Sequence, residues 1–185
     1  MALIQYLTQI QIAPGAVGLL RQECERVGIR RPLVVTDMGV RAAGVLQRGL
    51  DALAGFEVTV YDQTPSNPTE AAVRDAAGLY GAQGCDGLIA LGGGSAIDCA
   101  KGASLLATHE GPLVRYATIE GGAPRITDAL APIIAVPTTS GTGSEVGRGA
   151  ILIVDDGRKL GFHSWHMLPK SAICDPDLTR DCHRG

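Results

Sequence analysis

The stretch Leu88-Ile89-Ala90-Leu91-Gly92-Gly93-Gly94-Ser95-Ala96-Ile97-Asp98 decides the fold. A short apolar run ends in three glycines, and a serine then opens a segment of helical composition. A strand that stops in glycine and restarts as a helix leaves backbone N–H groups bare at the helix N-terminus, where they suit a phosphate. Three consecutive glycines also remove every Cβ that would hold a bulky anion off that backbone. The turn points to a nucleotide. Its spacing is neither G-x-G-x-x-G nor G-x-x-x-x-G-K-[ST], so neither of those fingerprints applies, and a turn kept for packing alone stays open at this point.

Working outward, short β-branched runs alternate with alanine-rich amphipathic segments. Residues 33–36, 56–61, 86–91 and 133–136 read as strands. Residues 41–53, with apolar side chains at 42, 43, 45, 46, 50 and 53, read as a helix, as do 69–83 and 95–108. This order predicts a doubly wound, mostly parallel α/β sheet with helices on both faces. Right-handed crossovers then bring the C-terminal strand ends to one edge, where such sheets bind ligands. Residues 149–155 and 158–162, separated by Asp156-Gly157, predict an added β-hairpin with a two-residue D-G turn. Residues 3–12 are expected to form an edge strand, and 163–177 carry no assignable pattern.

At 185 residues the chain supports one domain with a substantial core, set here at 1–179, followed by a polar tail at 180–185. A net charge of −3 without a block of like charge gives no footprint for nucleic acid. No apolar run approaches the roughly 20 residues that span a bilayer, and the first residues lack the basic and apolar regions of a signal peptide. Five cysteines, an odd number without a C-x-x-C pair, fit a reducing compartment. A cytoplasmic protein is expected.

Several side chains fall at strand ends. Asp37 can accept hydrogen bonds from a ribose diol and would repel a 2′-phosphate, or it can simply form the turn before Gly39. Asn67 reads as a helix N-cap with Pro68 at the first helical position. Ser95 and Asp98 have capping-box spacing, as do Thr142 and Glu145. Pro137-Thr138-Thr139-Ser140-Gly141-Thr142-Gly143-Ser144-Glu145 places small hydroxyl residues behind a buried strand, where they can line a polar groove without filling it. Lys159, by position alone, is a solvated hairpin lysine. His163, His166 and His183 match no metal-ligand spacing.

The set Asp37, Asn67-Pro68-Thr69, Gly92-Gly93-Gly94-Ser95-x-x-Asp98-x-x-Lys101, Pro137-Thr138-Thr139-x-x-Thr142-Gly143-Ser144-Glu145 and Asp175-Pro176-Asp177-Leu178-Thr179 resembles the iron-containing (group III) alcohol dehydrogenases. The resemblance runs from about residue 5 to 179. It implies a Rossmann-like, dehydroquinate synthase-like domain that binds NAD, followed in the family by an all-helical domain holding a divalent metal, iron or zinc. By motif position, Gly93, Gly94 and Ser95 would hold the pyrophosphate and Asp98 would face the nicotinamide half. Thr138, Thr139 and Thr142 would line the groove, Lys159 would reach the nicotinamide ribose, and Leu178 would pack near the cofactor. Asp37 would sit by the adenosine ribose and favour NAD over NADP, with Asn67 near the same end.

The family chemistry so implied is reversible hydride transfer between NAD(H) and a small alcohol or aldehyde, in a homodimer or higher oligomer. Residues 3–12 are the expected pairing edge. Residues 180–185 depart from the family pattern, and no residue here matches a family metal ligand. The expectation is therefore a cofactor-binding domain without its metal-binding partner domain, negligibly active alone and binding no metal. Two other readings remain: a non-catalytic nucleotide-binding module, and a maleylacetate reductase-type enzyme of the same family. The 137–145 string favours the alcohol dehydrogenases over the related glycerol-1-phosphate dehydrogenases and dehydroquinate synthases.

Overall fold

The structure, a computed structural model, describes residues 8–179. In chain order it comprises β1 (Gln9–Ile12), α1 (Leu20–Val27), β2 (Pro32–Val35), α2 (Met38–Ala42), α3 (Val45–Ala52), β3 (Thr59–Tyr61), α4 (Glu70–Ala82), β4 (Gly87–Gly92), α5 (Gly94–Thr108), β5 (Ile133–Pro137), β6 (Gly149–Ile153), β7 (Lys159–His163) and β8 (Ser171–Cys174). Six strands form one parallel sheet in the order β1-β8-β5-β4-β2-β3, and β6 and β7 form a separate antiparallel ribbon. The expected doubly wound sheet with an added hairpin is what the chain adopts. No helix among the described residues is long and apolar enough to cross a membrane.

Strands β2, β4 and β5 are buried at every position, which is why they read as unbroken apolar runs rather than alternating ones. Their side chains nevertheless divide between two cores by the period-2 rule. Leu33, Val35, Leu88, Ala90, Ile133 and Ala135 pack with Val73 and Ala76 of α4 and Ile97 and Ala100 of α5. Val34, Ile89, Leu91, Ile134 and Val136 pack on the opposite face with Leu20 of α1 and Leu46 of α3. The hairpin belongs to the first core, to which it gives Leu152, Leu160 and Phe162.

The sequence reading is corrected at several places. The single helix expected over 41–53 is two. Asp37 Oδ1 accepts the Val40 N–H at 2.9 Å and so starts α2 early, and Gly44, at φ 75°, turns the chain before α3. The strand expected over 56–61 begins only at Thr59. Thr69 rather than Asn67 caps α4, accepting the Ala72 N–H at 3.2 Å. The hairpin turn is longer than two residues, because the Val154 N–H bonds Arg158 O at 2.9 Å and encloses residues 155–157 with Gly157 at φ 85°. That is the three-residue loop with a left-handed glycine at its end. Of the edge strand expected over 3–12, residues 9–12 form β1, and 3–7 lie outside the described residues, as does the tail at 180–185.

The unassigned segment 163–177 holds the largest surprise, since β8 lies within it and inserts between β1 and β5. Ser171 pairs with Gln9 on one side and Ile134 on the other. On the sheet's far edge, Glu23 of α1, almost fully buried, accepts hydrogen bonds from Arg26 at 2.7 and 2.9 Å and from Gln9 of β1 at 3.3 Å. Burial pushes its carboxyl up, but the Arg26 guanidinium together with the neighbouring Ser171 and Gln11 side chains outweighs it and holds the net value below the ordinary 4.5. A carboxylate depressed in the folded state adds stability above its unfolded value and loses it as pH falls through the folded one. Acid melts are therefore expected to show Glu23→Gln flattening the loss of stability below pH 4.5 relative to the wild type.

Candidate functional site

The chain leaves β2 toward β3 on one side and returns as β4 on the other, so the winding of the sheet reverses between β2 and β4. A cleft opens outside the carboxyl ends of strands at such a point. Here its volume is about 770 Å³, with Asp37 after β2, Thr64 and Ser66 after β3, Gly93, Gly94 and Ser95 after β4, Thr138 and Thr139 after β5, and Leu178 beyond β8 on its walls.

The glycine turn forms the cleft floor. No side chain caps α5, and its first internal bond runs from Ile97 N–H to Gly93 O at 3.2 Å, so the N–H groups before Ile97 have no partner within the helix. The glycines are needed for close approach as well. A Cβ on Gly93 would lie 3.2 Å from Thr139 Oγ1, and one on Gly94 would lie 3.3 Å from Thr142 Cβ and Cγ2. The two loops read separately in the sequence thus touch.

Neither expected capping box forms. Ser95 Oγ donates to Ser66 O, tying α5 to the loop after β3. Asp98 instead docks the hairpin, with Oδ2 accepting the Ile151 N–H at 2.9 Å. Its Oδ1 is buried without a hydrogen-bond partner, and burial pushes the carboxyl upward. Residues 142–145 form no helix, with a turn only from 144 to 146, and Thr142 Oγ1 accepts the Ser144 N–H at 3.4 Å. Lys159 Nζ donates to Asn67 Oδ1 at 2.9 Å, both groups exposed to solvent and neither among the residues that line the cleft. Asp37 uses Oδ1 for its cap bond and still lines the cleft.

The geometry therefore gathers Asp37, Gly93, Gly94, Ser95, Thr138, Thr139 and Leu178 around one cavity, with Thr142 against Gly94. Asn67 pairs with Lys159, and Asp98 holds the hairpin from one helical turn behind Ser95. A family model described as iron-containing alcohol dehydrogenase matches residues 8–176. The chain belongs to that family.

Relatives share the same span. The chain is 71% identical over 179 residues to the 4-hydroxybutyrate dehydrogenase of Cupriavidus necator, covering 97% of this chain and 47% of that protein. It is 40% identical over 170 residues to the 1,3-propanediol dehydrogenase of Klebsiella pneumoniae, covering 89% and 43%. Among solved structures, a 1,3-propanediol oxidoreductase superposes with a TM-score of 0.88 at 37% identity, covering 96% of this chain and 47% of that one. The sulfoacetaldehyde reductase from Bifidobacterium kashiwanohense, solved in complex with NAD+, does so with a TM-score of 0.86 at 31% identity, covering 97% and 48%. The chain spans a little under half the length of the curated relatives it matches.

An iron-containing family implies a metal, and the described residues do not fit one: no three His, Cys, Asp or Glu side chains among them converge on a position that could hold an ion. His163 is taken up by Thr118, its Nδ1 lying 2.9 Å from Thr118 Oγ1.

The sequence reading of this alcohol dehydrogenase-family chain quotes one residue beside the site in the family motif but gives it no role. Lys101 of α5 is fully buried, and its Nζ donates to three backbone carbonyls. The signal was present: a lone lysine on a helix whose other residues from Ala96 to Leu105 are small or apolar apart from Asp98 and Ser104. Such a helix has no wet face for a cation.

Proposed function

We propose that this chain is the cofactor-binding part of a metal-dependent alcohol dehydrogenase, catalysing reversible hydride transfer between NAD(H) and an alcohol or aldehyde. The observation that carries the reading is the convergence of the uncapped, Cβ-free turn at Gly93 and Gly94 with the hydroxyl loop at Thr138 and Thr139 in one cleft at the sheet's reversal point. In that reading the first-turn N–H groups of α5 hold the pyrophosphate, assisted by the helix dipole. Thr138, Thr139 and Thr142 line the groove, Leu178 gives an apolar wall, Asp37 accepts from the adenosine ribose with Asn67 nearby, and Lys159 reaches toward the nicotinamide ribose. Asp98, behind Ser95, faces the nicotinamide half.

The 71% identity to a 4-hydroxybutyrate dehydrogenase favours a short ω-hydroxy acid and its semialdehyde as the substrate pair. A bound divalent metal would polarise the substrate oxygen. Residues 8–179 take the cofactor side of the reaction, and a polypeptide of this span by itself is expected to show no turnover. Domain 1–179 is read as a cytoplasmic, self-associating unit; its four described cysteines are all free.

Calorimetric titration of the chain with NADH and, separately, NADPH tests the reading. Saturable binding with NADH preferred is the expected result; a folded chain that binds neither overturns it. The role of Asp37 is tested apart from its cap. Serine caps a helix nearly as well as aspartate, so Asp37→Ser keeps α2 while removing the charge. That variant is expected to narrow the preference for NADH over NADPH by roughly ten-fold, the scale of one charge-assisted hydrogen bond. An unchanged ratio would remove Asp37 from the ribose.

A further inference from the structure

Lys101 is the one fully buried cation of the described chain, and the hydride chemistry proposed above gives it no task. It lies two helical turns beyond Gly94, on the same helix whose first turn floors the cleft. Its Nζ reaches Ser144 O at 2.8 Å, Gly147 O at 2.7 Å and Gly149 O at 2.8 Å. An ammonium has three donors and no acceptor, so three carbonyls saturate it. Ser144 and Gly147 belong to the connection from β5 to β6, which no helix or sheet ladder holds between Thr138 and Arg148, and Gly149 is the first residue of β6. Its backbone–backbone bonds include two short turns, Val146 N–H to Gly143 O at 3.2 Å and Gly147 N–H to Ser144 O at 3.3 Å.

The same connection carries Thr139 and Thr142 against the glycine turn. The Ser144 carbonyl is two residues beyond Thr142, whose hydroxyl accepts the Ser144 N–H. The place of Thr142 over Gly94 therefore depends on what grips residue 144. Burial disfavours the charge and pushes the ammonium down to about 8, while the carboxylates of Asp98 and Glu145 oppose that push. The arrangement, a cation in a ring of backbone carbonyls with acidic groups behind, is the coordination chemistry of a monovalent ion.

We propose that Lys101 is a positioning residue of the dinucleotide site: its ammonium serves as a tethered internal cation that binds the carbonyls of residues 144, 147 and 149 and so sets the Thr139 and Thr142 wall at the width that admits a pyrophosphate over Gly93 and Gly94. The proposal rests on the cofactor reading above.

Complementation with a free amine tests it. Lys101→Ala deletes three methylenes and the nitrogen, the piece that n-propylammonium supplies. NADH affinity and thermal melting are measured for the wild type and for Lys101→Ala, each with propylammonium chloride, with 1-propanol, and with sodium chloride at equal ionic strength. Lys101→Ala is expected to bind NADH at least roughly ten-fold more weakly, the scale of losing a charged hydrogen-bonding group. Propylammonium should restore affinity in a saturable way, and propanol and sodium chloride should not. Lys101→Met, of similar length and neutral, should stay weak in every addition.

A folded Lys101→Ala that binds NADH like the wild type overturns the proposal, and so does equal rescue by propanol, which would mean that the side chain only fills space. If Lys101→Ala melts below working temperature, the melting point decides: a rise with propylammonium alone supports the cation role, and its absence overturns it. A wild-type chain that fails to bind NADH overturns the cofactor reading first and the positioning role with it, an outcome distinct from wild-type binding that survives Lys101→Ala.

Discussion

Gly94→Val is expected to abolish measurable NADH binding while leaving the sheet folded. The Cβ it introduces would lie 3.3 Å from Thr142 Cβ and Cγ2, tighter than ordinary packing, and two further methyls would occupy the space above the first turn of α5. That space is where a phosphate must come to reach the backbone N–H groups. Thr142 is exposed and can yield, so the backbone survives and the anion site is filled. A loss of roughly 100-fold in affinity, about 2.7 kcal/mol, is the scale expected when the principal anchor of a charged ligand is displaced. Gly94→Ala, with one methyl and only a few tenths of an ångström to recover, should fall between the two. The check is NADH titration beside a circular-dichroism melt; valine-substituted protein that binds within a few-fold of wild type would show that the phosphate lies elsewhere.

The second large effect concerns the fold. Asp175 is almost fully buried, and its carboxylate accepts three backbone N–H groups: Gly15 at 3.0 Å, Val17 at 3.1 Å and Asp177 at 2.9 Å. The first two lie at the start of the chain and the third just past β8, so this side chain fastens β8 to the segment between β1 and α1. Asp175→Ala strands these donors, and unmade hydrogen bonds to a charged group in a buried setting cost about 3–4 kcal/mol in total. Leu178, whose N–H bonds Asp175 O at 3.0 Å, lines the cleft, so the variant should also weaken NADH. Denaturant unfolding followed by tryptophan fluorescence measures the loss. A change under about 1 kcal/mol would mean that water replaces the carboxylate. Asp175→Asn, which keeps one acceptor oxygen, should lose less.

How far the sequence could be read follows from what kind of physics fixes each part. Fully buried strands leave a compositional mark, so β2, β4 and β5 stood out, and the glycine turn marked the ligand edge through local chemistry alone. Short-range propensity failed where tertiary contacts decide. Ser95 has the spacing of a capping-box residue, yet its hydroxyl goes to Ser66 O, a partner 29 residues away that no local pattern encodes. Asp98 likewise reads as a cap and instead receives Ile151, 53 residues on. Thr69 displaced Asn67 as a cap because both types cap well and only the arriving backbone chooses between them. Strand β8 is four residues long with a serine at its head, too short to show a period, and its place between β1 and β5 is fixed by Asp175 rather than by its own composition. Lys101 was legible as an oddity, a lysine without a wet face, but the carbonyls it binds lie 43 to 48 residues downstream.

The insertion of β8 between β1 and β5 also sets the order in which the chain can be built. Strands β2, β3, β4 and β5 are joined by crossovers of ordinary length and can assemble as the chain emerges. Strand β1, the first of the described strands, has no neighbour among them: its partner is β8, the last of the described strands, and the bond from Gly15 to Asp175 closes a loop of 160 residues. Until β8 arrives, both β1 and the outer edge of β5 stay unpaired, and contacts of such long sequence separation form slowly. Refolding should therefore show a late step in which α1 and β1 gain hydrogen-exchange protection together with β8. Before that step the half-built sheet has an open edge along β5, the form of this protein most exposed to aggregation.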